Sequence, residues 1–158
     1  MPSLPRRPLL AAAIAALATR PAFAQGIDIS RAAAFIQATG QELVAAINAN
    51  APVAQRRQVV AGILRRAVDV EGVGRFILGR HWRAATPEQQ AEYMRLFEEV
   101  LIRNLSARFG EYQGVRFALG RTQARTEEDV LVNTVIQQPN SPAFSLDWRV
   151  AEVGGQPK

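Results

Sequence analysis

Cysteine is absent from the 158-residue chain, which excludes both a disulfide framework and a thiolate metal site. Histidine occurs once, as His81. A Ser-His-Asp triad would have to use that residue, in a glycine-rich segment without a nucleophile-elbow motif. His81 therefore reads as an ordinary surface or packing side chain. Metal sites draw on several His, Cys or clustered carboxylates, whereas Glu127-Glu128-Asp129 reads as a solvated turn before a strand. Glu98 and Glu99 are neighbours, so they diverge on a helix and cannot act as a dyad. No catalytic residue, no metal site and no cofactor is expected. Lysine is nearly missing too, since all but Lys158 of the basic side chains are arginine. The basic residues lack the aromatic interleaving that stacks bases, so a nucleic-acid partner is not expected.

What is present begins with an export pattern. Arg6 and Arg7 form a basic start, Leu9 to Ala18 is an unbroken apolar stretch, and Ala22-Phe23-Ala24 gives a small-x-small cleavage site. The apolar stretch is about half of the ~20 residues a membrane span needs. Residues 1–24 are thus expected to be a cleavable signal peptide, with Gln25 the first mature residue of a single domain, 25–158. The paired arginines leave both the general secretory and the twin-arginine route open. Removing Arg6, Arg7 and Arg20 lowers the formal charge from +5 to 16 basic against 14 acidic side chains. The high pI then loses most of its force as a nucleic-acid signal. At 48% hydrophobic and 21% charged, the composition is that of an ordinary globular domain.

The mature chain has two unlike halves. Ser30 is a plausible cap for a first helix with Ile36, Leu43, Val44 and Ile47 on one stripe. Asn48, Asn50 and Pro52 end it, and a second helix carries Val60, Ile63, Leu64, Ala67 and Val68. Gly72, Gly74 and Gly79 break the next segment into short helical turns. They do not match G-x-G-x-x-G after a strand, which excludes a dinucleotide site. Thr86-Pro87-Glu88-Gln89 forms a capping box that opens a long helix to about Gly110. Its apolar face is unusually wide, with Tyr93, Leu96, Phe97, Val100, Leu101, Leu105 and Phe109. Three period-two segments follow: one around Val115, Phe117 and Leu119, one from Val130 to Gln137, and one from Phe144 to Ala151. Helices followed by strands predict an α+β domain with an antiparallel sheet. Gly154-Gly155-Gln156-Pro157-Lys158 reads as a hairpin turn, so the sequence is expected to be C-terminally incomplete by at least one strand.

With no catalytic machinery in view, apolar surface is the functional material. The long helix and the strands could close into an ordinary core or leave a cavity between them. Periodicity does not decide between the two.

The segment Phe76-Ile77-Leu78-Gly79-Arg80-His81-Trp82-Arg83-Ala84-Ala85-Thr86-Pro87-Glu88-Gln89-Gln90 resembles the signature of the MlaC, or toluene-tolerance, family. Tyr93, Phe97, Leu101 and Gly110-Glu111-Tyr112 continue the likeness, as do the strands from Val130 to Gln138 and at Asp147-Trp148-Arg149-Val150. Upstream, Phe35-Ile36 and the Arg57-to-Val70 helix fit as well. The resemblance implies helices packed on a cystatin-like, NTF2-like sheet, truncated here before the last strand and helix. It also implies a periplasmic phospholipid shuttle without catalytic residues. Its partners would be phospholipid, an inner-membrane ABC transporter complex and an outer-membrane lipoprotein complex, and its role the maintenance of outer-membrane lipid asymmetry. Acyl tails would lie between sheet and helices. Phe76, Leu78 and Trp82 would pack near the sheet; Phe97, Leu101 and Leu105 would line the helical wall. Phe117, Leu119, Val132, Thr134, Leu146 and Trp148 would line the sheet wall. A carrier of hopanoid or another apolar lipid and a ligand-free adaptor docking on a transporter are the alternatives.

Overall fold

The computed structural model describes residues 27–108 and 111–158. The expected signal peptide, the cleavage site and Phe109-Gly110 lie outside the described residues. Five helices precede four strands among the described residues: α1 Ile29–Asn48, α2 Val53–Ala67, α3 Val70–Leu78, α4 Arg80–Ala84, α5 Pro87–Ala107, then β1 Arg116–Ala124, β2 Asp129–Gln137, β3 Phe144–Val153 and β4 Gln156–Pro157. The strands form one antiparallel sheet in sequence order. The fold is the α+β arrangement expected from the two halves of the sequence.

Local chemistry accounts for most of the boundaries. The capping box is complete: Gln89 N–H donates to Thr86 Oγ1 at 3.3 Å, and Thr86 N–H donates to Gln89 Oε1 at 2.9 Å. At the start of α1 the cap is Asp28 rather than Ser30; its carboxylate accepts from Arg31 N–H at 2.8 Å, and the Ser30 hydroxyl donates to it. One carboxylate oxygen, Asp28 Oδ1, accepts from both donors at once. Of the three glycines expected to break the chain, only Gly79 does so, with φ of 56° between α3 and α4. Gly74 lies inside α3 because α5 presses on it: a Cβ there would stand 2.8 Å from Met94 Sδ. Gly154 and Gly155, both at positive φ, turn the chain so that β4 pairs back on the end of β3.

The helices stack in two tiers. α1 lies on the sheet, chiefly on β1, while α2 bridges α1 and α5, and α3 packs on α5. The core is accordingly divided. Ile27, Ala32 and Ile36 of the α1 end meet Val130, Val132 and Val150 of the sheet. Ala46 of α1 meets Val60 and Ile63 of α2. Ala61 and Leu64 of α2 meet Ile102 of α5. The side chain of Asn48 ties the far end of α1 to the sheet by accepting from Gly114 N–H at 2.7 Å and donating to the Val115 carbonyl at 3.2 Å.

Asp129 departs from the expected solvated turn. Glu127 and Glu128 are exposed, but Asp129 is fully buried at the start of β2. Its carboxylate accepts from Arg125 at 2.9 Å, from the Thr126 hydroxyl at 3.0 Å and from Arg149. Burial alone would raise its pKa. The Thr126 and Arg149 hydrogen bonds and the charges of Arg149 and Arg125 outweigh burial and hold it below the ordinary carboxylate range.

Candidate functional site: an apolar cavity between α1, α2 and the sheet

Between the divided core patches the layers do not close. A cavity of about 240 Å³ remains, walled by Phe35, Ile36, Thr39, Gly40, Leu43 and Val44 of α1 and by Val60, Ile63, Leu64 and Ala67 of α2, with Val68 just beyond. Leu105 of α5 closes one side, and Phe117, Thr134, Ile136 and Trp148 form the sheet wall. Two threonine hydroxyls and one indole N–H are the polar side-chain groups of this lining. The Trp148 indole N–H donates to Thr134 Oγ1 at 2.8 Å. Donor and acceptor thus satisfy each other inside the wall, and the space they border is left hydrocarbon-like.

The cavity continues onto open apolar surface. Register places Leu146 opposite Thr134 and Phe144 opposite Ile136, on the same face of the sheet. Leu146 is 40% exposed and Phe144 38%. A larger groove, about 790 Å³, runs between α2 and α5, but it has a different character. Its rim is charged, with Arg65 paired to Glu98 at 2.6 Å and Arg95 to Glu99 at 3.4 Å. Hydrocarbon laid there would strip water from partly solvated ion pairs, so the smaller cavity is the candidate site.

The family model for the MlaC protein matches residues 37–158. The chain belongs to the MlaC family. The match takes in every cavity-lining residue except Phe35 and Ile36. Among solved structures, the chain is similar to the phospholipid-binding protein from Ralstonia solanacearum in complex with a phospholipid, at 25% identity and a TM-score of 0.69. That alignment covers 80% of this chain and 74% of the other. No curated protein matches.

Of the twelve residues that the MlaC resemblance singled out, four lie on the cavity wall: Leu105, Phe117, Thr134 and Trp148. Val132 is sealed in the adjoining core and Leu119 packs against it. Leu146 lies on the open strip. The other five are elsewhere. Leu101 packs on the α2–α5 patch. Phe97 stacks on Tyr93 with ring centroids 5.9 Å apart, and Trp82 meets Tyr93 edge-on at 6.3 Å. Arg75 lies over the Trp82 ring at 5.1 Å, and the Tyr93 hydroxyl donates to the Gly74 carbonyl at 2.9 Å. Phe76 is 86% exposed, and Leu78 does not reach the cavity. The expectation that Phe76, Leu78 and Trp82 pack near the sheet is thereby corrected: this segment builds on α5, which stands one tier away from the sheet.

The helical wall also differs from expectation. It comes mainly from α1 and α2; the long helix contributes Leu105, while Phe97 and Leu101 of its apolar face do not line the cavity. The stripes of α1 and α2 were visible in the sequence as helix periodicity. Their role as wall was not, because periodicity reports that a face is covered and not what covers it.

Proposed function

We propose that this chain is an exported periplasmic carrier that binds phospholipid by its acyl tail in the cavity between α1, α2 and the sheet. The observation that carries the reading is the cavity itself: apolar, with the Trp148 indole N–H on its wall paired to Thr134, in a chain of the MlaC family. The phospholipid held by the similar Ralstonia solanacearum protein supports the choice of ligand. An engineered ~150 Å³ apolar cavity takes a six-carbon ring, so by scaling this space takes roughly ten carbons of one tail. Burying ten methylenes stabilises the complex by about 8 kcal/mol before the costs of association. The remaining carbons would lie along Leu146 and Phe144, with the headgroup toward solvent.

Residues 1–24 act in this reading as the cleaved export signal, and 25–158 as the lipid-binding domain. The carrier's partners are an inner-membrane ABC transporter complex and an outer-membrane lipoprotein complex, between which it moves phospholipid to maintain lipid asymmetry. It performs no chemistry; transfer requires only that the tail leave an apolar wall for another. Organic extraction of protein purified from a periplasm tests the proposal. Near-stoichiometric phospholipid is the expected result, and a lipid-free extract from folded protein overturns it.

A further inference from the structure

The Phe117 ring reaches from β1 to the backbone of α1. A Cβ on Gly40 would lie 2.5 Å from Phe117 Cζ and 2.7 Å from Cε2, so the ring tip occupies the place a side chain at position 40 would take. Both residues line the cavity. The gap they span has little freedom to widen. At one end α1 is clamped by Ala32 and Ile36 against the valines of β2 and β3, and at the other by the paired Asn48 hydrogen bonds. A ring already seated against backbone cannot retreat further toward α1.

We infer that the Gly40–Phe117 contact selects ligands by tail cross-section: it admits an unbranched acyl segment and rejects methyl-branched or fused-ring hydrocarbon. The inference rests on the phospholipid-carrier reading and adds to it the class of tail. A straight chain threads past a fixed ring by choosing its torsions. A branched chain carries its extra methyls whatever its torsions, and each meets a ring that cannot yield toward α1. Fitted apolar pockets discriminate about tenfold or more against one surplus carbon group.

The test uses the full-length protein, incubated with vesicles of equimolar dimyristoyl and diphytanoyl phosphatidylglycerol, re-isolated and extracted for mass spectrometry. Wild type is expected to carry the straight-chain lipid in about tenfold excess or more. Phe117→Ala should raise the branched lipid's share and bring the ratio close to parity, whatever the total load. Gly40→Ala suits a helix interior and pushes the ring into the cavity; it should lower straight-chain uptake several-fold. Equal uptake of both lipids by wild type, a folded Phe117→Ala variant that keeps the preference, or undiminished uptake by Gly40→Ala each overturns the inference. Failure of wild type to carry either lipid is a different result, and overturns the carrier reading beneath it.

Discussion

Ile136→Trp gives the most direct reading of the cavity. Ile136 is half-buried on β2, lines the cavity, and stands between Phe117 and Phe144 in register. Tryptophan suits a strand, and its side chain has about six more heavy atoms than isoleucine's. If these enter the cavity, about six of its roughly ten carbon positions are lost to ligand. At ~0.8 kcal/mol per methylene that removes about 5 kcal/mol of tail burial, more than three decades in Kd if fully realised. The fold should survive, because overpacking at a site with room beside it falls at the low end of the about 1–3 kcal/mol range. The assay pairs lipid content after organic extraction with thermal unfolding. Leu101→Trp is the control. Leu101 packs against Ala61, Leu64 and Ile102 and does not itself line the cavity, so the bulky replacement should lower Tm and change lipid content per folded molecule far less than Ile136→Trp does. A stably folded Ile136→Trp with a full lipid load refutes the reasoning, as does a Leu101→Trp variant that folds but is stripped of lipid.

The remaining predictions concern what holds the walls in place. Val132→Ala empties a fully buried position under α1 and should cost about 2–3 kcal/mol in urea unfolding, by lost transfer energy plus the cavity left. Thr86→Ala removes the acceptor for Gln89 N–H and should cost about 1 kcal/mol, seen as a lower Tm with lipid load unchanged. Asp129 has a lowered pKa in the fold, so its stabilising contribution is complete above the unfolded carboxylate value and is lost as pH falls through the folded one. Urea midpoints measured below pH 4 should therefore fall less steeply in Asp129→Asn than in wild type; parallel acid limbs would contradict the ion-pair assignment.

How far the sequence reached depends on the range of the forces involved. The capping box at Thr86 was legible because two residues within one turn, Thr86 and Gln89, suffice to make it. The strands were legible because one wet and one dry face impose a period of two. Asp28 was passed over for Ser30 because two capping residues compete within one turn, and only geometry chooses between them. The burial of Asp129 was not legible, since Arg149 is distant in sequence and arrives through the β2–β3 register. Phe76 and Leu78 were placed near the sheet through family likeness, which identifies a segment without saying which tier it builds. The breadth of the α5 face does not signal extensive covering: α2 and α3 cover part of it, and Leu96, Val100 and Leu105 stay exposed.

The cavity did leave a trace in the sequence, in the composition of one stripe. The sheet-facing side of α1 runs Ala32, Ile36, then Thr39 and Gly40, then Leu43 and Val44. At Ala32 and Ile36 the helix sits directly on Val130, Val132 and Val150, and the layers close. One turn further on, where a leucine would have filled the space above Thr134 and Ile136, the stripe presents a threonine and a glycine. Helix-to-sheet distance is set by the large residues on either side, so two small residues between them leave a void instead of drawing the layers together. Phe117 takes up part of that void by reaching to Gly40, and what it does not fill is the space proposed for the tail. The hole follows from a local deficit of side-chain volume within an otherwise regular apolar period. A period-based reading scores Thr39 and Gly40 as weak helix positions and passes over them, whereas a reading of summed volume along each buried stripe would mark the same two residues as the floor of a pocket.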